Sequence, residues 1–134
     1  MQTIRNCFVT IAADCPAKVG TVPGERGGAP SVPAIQHALL TAEPYRYDHE
    51  GLIWEVHRRH KGVAGEGLEA AAARRALLSR SHPCMRASAL PKRYGWGVHY
   101  DDAGRIAIYG AETERYRELA AGPAVVPAMR SRRG

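Results

Sequence analysis

The sequence predicts a single α+β domain on a mainly antiparallel sheet, with two or three helices and a C-terminal β-hairpin. Three observations lead there. Residues 94–100 and 105–109 alternate in polarity on either side of Asp101-Asp102-Ala103-Gly104, as the arms of a hairpin do. Leu68 to Arg80 is alanine-rich and free of glycine and proline, as a helix requires. Strand-like and helix-like segments then alternate in the order β-α-β-α-β-β-α, without an internal repeat.

Each element follows from its residues. Residues 4–13 are rich in β-branched and aromatic types and read as the first strand. Cys7, Val9 and Ile11 fall on one face, with Asn6, Phe8 and Thr10 on the other. Asp14-Cys15-Pro16 ends the strand. Proline and glycine dominate 16–33, around Gly24-Glu25-Arg26-Gly27-Gly28, which predicts a long loop of the kind that closes over sites. Ser31 is placed to cap a helix running to about Thr41, with Pro33 in its first turn and Ile35, Ala38 and Leu39 as its apolar stripe.

Leu52 to Arg59 alternates, with Leu52, Trp54 and Val56 on one side and Ile53, Glu55, His57 and Arg59 on the other, and so predicts a strand. Gly62–Gly67 reads as a linker, and His82-Pro83 stops the alanine-rich helix. Cys84 to Leu90 reads as extended. A short polar helix spans about 113–121. The domain is expected over 1–122, followed by a basic, disordered tail over 123–134. Phe8, or its neighbours Val9 and Ile11, together with Trp54, Trp96, Ile106 and Ile108, form the expected core.

Composition narrows the class. A chain of 134 residues with 45% hydrophobic and 24% charged residues is sized for one globular domain. No apolar run is long enough for a membrane span, and the first residues do not resemble a signal peptide, so a cytoplasmic protein without membrane contact is expected. Cys7, Cys15 and Cys84 are an odd number at wide spacing, which fits reduced thiols and no cysteine-based zinc module. Arg130, Arg132 and Arg133 of the tail account for half of the net charge of +6, which weakens the charge as a sign of nucleic-acid binding.

Several mechanisms are excluded by order and spacing. The Gly-rich loop lacks the phosphate-binding order Gly-x-x-x-x-Gly-Lys-Ser/Thr. A cysteine-phosphatase loop from Cys84 would need arginine at position 90, which is Leu90. A zinc deaminase would need His-x-Glu and Pro-Cys-x-x-Cys, and neither occurs. No metal-ligand pattern is recognisable among the histidines: His57 and His60 would face opposite ways on a strand, and His37 and His49 read as surface residues. No cofactor is implied.

Asp14-Cys15-Pro16, Trp54-Glu55-Val56-His57-Arg58-Arg59, Cys84-Met85-Arg86-Ala87-Ser88 and Lys92-Arg93-Tyr94-Gly95-Trp96-Gly97-Val98-His99 together resemble one small bacterial family of unknown function. The resemblance covers residues 4 to 118. It implies one intact domain with a dispensable tail and carries no activity, ligand or catalytic residue. Departures are expected at Gly62–Gly67 and the arginine-rich end.

The densest chemistry lies between Cys84 and Tyr100. With both segments extended, Cys84, Arg86 and Ser88 share one strand face, and Arg93, Gly95, Gly97 and His99 share another. Glu55, His57 and Arg59 come from the middle strand. Converging, these faces would form a basic pocket for a small anionic molecule, a carboxylate or phosphate. Arg86, Ser88, Lys92, Arg93, Trp96, Arg59 and Glu55 would be its binding residues, and the glycines around Trp96 its floor. Two alternatives remain at this point. Cys84 could act as a nucleophile with His57 or His99 as base. Tyr94, Trp96 and Tyr100, interleaved with cations, could stack on single-stranded nucleic acid.

Overall fold

Four strands form the central sheet of the computed structural model, which describes residues 4–131. They are β1 (Cys7–Thr10), β4 (Trp96–Tyr100), β5 (Ile106–Gly110) and β6 (Val125–Pro127), in the order β5-β4-β1-β6. β1 runs antiparallel to β4, β4 antiparallel to β5, and β6 parallel to β1. β2 (Glu25–Arg26) and β3 (Ala29–Pro30) make a separate two-stranded hairpin inside the glycine-rich loop. Five α-helices complete the described residues: α1 (Val32–Ala42), α2 (His49–Lys61), α3 (Leu68–Leu78), α4 (Ala89–Arg93) and α5 (Glu114–Ala120). The fold is therefore α+β with a mixed sheet, richer in helices than expected. No helix among the described residues is long and apolar enough to cross a membrane.

The hairpin lies where the alternation placed it, with Val98 opposite Ile108 and Tyr100 opposite Ile106. Gly104 takes a φ of +78°, a conformation that glycine reaches without steric cost. Cys7 and Val9 share a face with Val98, Tyr100, Ile106 and Ile108, and α1, α2 and α4 cover it with Ile35, Leu39, Leu40, Leu52, Val56 and Leu90. Phe8, His99, Ala107 and Tyr109 belong to the opposite face, part of which is covered by α5: Tyr116 meets Phe8 edge-on at 5.1 Å between ring centres.

Three expectations are corrected. Leu52 to Arg59 is the body of helix α2, not a strand. Asp48 caps it by accepting from the Gly51 amide at 2.8 Å, and Gly62 closes it at a φ of +70°. Leu52, Trp54 and Val56 are all buried because α2 is covered on two sides. Leu52 and Val56 face the sheet, while Trp54 packs with Ala70 and Leu77 of α3. Cys84 to Leu90 is not extended: Met85–Ala87 is a 3-10 turn, and Ser88 caps α4 by accepting from the Leu90 amide. The expected disordered tail begins inside the fold. β6 pairs with β1, Ala128 is buried, and Met129 donates to the Arg86 carbonyl at 2.9 Å. Arg132 and Arg133 lie outside the described residues.

Candidate functional site

The helix-covered side of the sheet carries a hollow of about 410 Å³ between α1, α2, the end of α3 and the 82–89 segment. Its walls are mostly apolar, from Val32, Leu52, Val56, Leu77 and Met85. A second hollow of about 470 Å³, lined by Ile4, Ser79, Arg80 and Ser81, adjoins it. His49, His82 and Cys84 line both and mark where the two meet.

Local structure sets each of these side chains. His82 follows α3, and its Nε2 lies 2.7 Å from the Leu77 carbonyl oxygen. A carbonyl only accepts, so Nε2 carries a proton and donates it to Leu77. His49 opens α2, and its ring is held against the His82 backbone while its Nδ1 is enclosed without a hydrogen-bond partner. Burial lowers its pKa below the ordinary imidazole value, so the ring is neutral near pH 7. Cys84 is half-buried ahead of the 3-10 turn. On the far wall Ser88 Oγ donates to Gln36 Oε1 at 2.9 Å. His57 and His60 also reach the apolar hollow from α2, being one helical turn apart.

Of the residues singled out from sequence, Cys84, Ser88 and His57 meet here. The others do not. Arg86 points to the sheet edge, where its Nε donates to the Pro127 carbonyl at 2.9 Å. Lys92 and Arg93 stand in the last turn of α4. Arg93 lines a hollow beside Asp14, Pro16 and Ser131, and another bounded by the β2–β3 loop. Glu55 is held by Arg58 and Arg59 of its own helix, at 2.9 and 3.1 Å, and the Arg58 hydrogen bond keeps its carboxyl below the usual range. Trp96 packs on His37 at 4.8 Å between ring centres, and its indole N–H donates to the Thr21 carbonyl at 2.8 Å. Thr21 in turn donates its amide to the Tyr94 carbonyl, and Gly20 donates to the Glu112 carboxylate, so the first part of the long loop is fastened down.

His99 lies on the opposite face of the sheet. Its Nδ1 is 2.8 Å from Tyr45 Oη, which is 2.8 Å from Tyr109 Oη. Tyr45 stands at a φ of +61°, unusual for an aromatic residue, with its amide bonded to the Ile106 carbonyl on the outer edge of β5. Burial lowers the pKa of His99 and raises that of Tyr45, so both stand neutral near pH 7 within this hydrogen-bonded chain. The basic pocket anticipated from sequence is therefore not assembled, since Arg86, Arg93 and His99 go to three separate places.

The glycines around Trp96 do not form a ligand floor either. A β-carbon on Gly97 would strike the Phe8 ring and lie 2.6 Å from Tyr116, and one on Gly95 would strike the Val19 carbonyl. The protein's own atoms occupy that space. The stacking trio is also dispersed: Tyr100 is 1% exposed beneath the helices, with its hydroxyl accepting from the Met85 amide.

Sequence reading missed His49 and Arg80. His49 reads as a surface residue only while 52–59 is a strand; at the start of a helix it faces the 82–84 segment. Among the described residues, no three His, Cys, Asp or Glu side chains are placed to hold a metal ion.

No curated protein and no solved structure matches the chain. A family model does match, over residues 1–134 and with the basic tail included, and the chain belongs to that family, a family of unknown function (DUF6157).

Proposed function

We propose that this protein binds a small organic acid, its apolar body in the hollow between α1, α2 and the 82–89 segment and its carboxylate toward the junction of the two hollows. One observation carries the reading: an apolar hollow of ligand size ends at His49, His82 and Cys84, beside a second hollow that contains Arg80. A carboxylate suits one guanidinium and the His82 ring better than a phosphate dianion, which would call for more cationic partners. Three unpaired thiols fit a reducing, cytoplasmic setting.

Thermal denaturation tests the reading. Aryl or medium-chain carboxylic acids should raise the midpoint, and their primary amides and inorganic phosphate should do so far less, because binding to the folded state alone stabilises it. Ala87→Phe, which fills the hollow from its half-buried wall, should abolish the shift, and Arg80→Ala should reduce it for acids only. Equal shifts from acid and amide would remove the carboxylate from the reading. No shift with any acid would remove the reading itself.

A second reading is favoured by the placement of Cys84 between two histidines at that junction. Cys84 would act as a nucleophile, with His82 Nδ1, His49 or His57 receiving its proton. Iodoacetamide near pH 7 should then modify Cys84 well before Cys7 and Cys15. Uniformly slow labelling would leave the hollow as a binding site only.

A further inference from the structure

Two of the three thiols are drawn together by the fold although 77 positions separate them in sequence. Cys7 is the Cα partner of Tyr100 across the β1–β4 pair, and both side chains leave the sheet on its helix-covered face. The Tyr100 ring crosses that layer and its hydroxyl accepts from the Met85 amide at 3.2 Å, which fixes the backbone next to Cys84. Ile4, at the entry to β1, lines the same hollow as Cys84. Burial raises the pKa of Cys7, and the charge of a Cys84 thiolate raises it further, with a stronger influence than that of Arg86, which lowers it. Cys15 takes no part, since it is buried and its thiol is turned to the Ala17 carbonyl at 3.2 Å.

We propose that Cys7 and Cys84 are a peroxide-responsive thiol pair that closes to an intramolecular disulfide between β1 and the 3-10 turn. Cys84 opens onto both hollows and meets the oxidant; Cys7 lies behind it at the start of β1. In the first step the Cys84 thiolate attacks a hydroperoxide, the O–O bond breaks, and sulfenic acid forms as the alkoxide leaves and takes a proton. In the second, the Cys7 sulfur attacks the Cys84 sulfur, the S–O bond breaks, and water leaves with the Cys7 proton. The hydroperoxide is reduced by two electrons, and the two thiols are oxidised to one disulfide.

The ligand reading does not enter this inference, because the pairing is measured without any ligand. Purified full-length protein is treated with a small excess of hydrogen peroxide, alkylated under denaturing conditions and mapped by mass spectrometry without reductant. A Cys7–Cys84 linked peptide is expected, with Cys15 alkylated and full reversal by dithiothreitol. The unreduced midpoint should rise by about 10 °C, as closing a long loop does for a domain of this size. In Cys7→Ser, Cys84 should instead accumulate as sulfenic acid, trapped by dimedone. Three alkylatable thiols after treatment of the native protein, a link to Cys15, or only intermolecular links would each overturn the proposal. So would dimedone trapping at Cys84 in native protein with no link to Cys7. These readouts on native protein need no variant to fold.

Discussion

The two faces of the sheet use polar side chains in opposite ways. On the outer face Tyr109, Tyr45 and His99 direct their polar atoms at one another in a chain with 2.8 Å links, and none of the three lines the hollows described above. On the helix-covered face His49, His82 and Cys84 border empty space, and one nitrogen of His49 is enclosed without a partner. A polar cluster that satisfies itself holds chain segments in place; this one locks the stretch before α2 onto β5. A cluster that faces a hollow with hydrogen-bonding capacity unspent is equipped for a ligand.

Substitutions can break that distinction. The largest effect is expected beneath the hollow. Leu52→Ala, at a side chain 2% exposed, should lower stability by about 3 kcal/mol in urea titration. A change under 1 kcal/mol would show that the hollow's floor is not part of the core.

Gly97→Ala tests the outer face. Its methyl would run into Phe8 and Tyr116, and a loss of about 2 kcal/mol is expected from overpacking. Near-unchanged stability would mean that α5 moves away readily and that the outer face can open a cavity of its own.

Tyr45→Phe removes the central hydroxyl of the chain and should lower stability by about 1 kcal/mol while leaving carboxylate binding unchanged. Lost ligand binding with intact stability would reverse the assignment of the two faces.

Acid touches both faces and gives the gentlest effect. Burial lowers the pKa of His37 and His49 on the helix side and of His99 outside, so the unfolded chain takes up protons before the folded one. Stability is then complete above the ordinary histidine value of about 6.5 and declines as pH falls below it, until the lowered folded values are passed. His49→Gln and His99→Gln should each flatten part of that decline in denaturation midpoints measured between pH 7.5 and 5. A slope unchanged in both variants would remove the histidines as its source.

The hairpin, the first strand and α1 were legible because each has one buried face and a recognisable end. Ser31 caps α1 as its position suggested, accepting from the Ala34 amide. Helix α2 misled because burial on two sides reverses its signature. Leu52 and Val56 are one helical turn apart and face the sheet, while Trp54 points away toward α3, so every second residue is buried and the pattern imitates a strand. Its termini carried the contrary signal: Asp48 before it, Arg58, Arg59, His60 and Lys61 in its last turn, and Gly62 after. The candidate site inherited that error. Assigned to a strand, Glu55 and Arg59 belonged to a shared polar face; on a helix they bond to each other. Cys84 and His57 were recoverable from residue type alone, and His49 only through the correct element.

The parallel β1–β6 pair bears on how the chain is made. β1 is an interior strand, and its edge toward β6 is filled by the Ala124 carbonyl, which accepts from the Phe8 amide, and by the Ala128 amide, which donates to the Thr10 carbonyl, both at 2.9 Å. Those partners are synthesised after every other strand and helix described, so a nascent chain carries an open apolar strand edge through almost the whole of its production. Such an edge recruits other strands. A chain ending near residue 122 would therefore leave that edge of β1 unpaired, and pairing with other strands is the expected consequence.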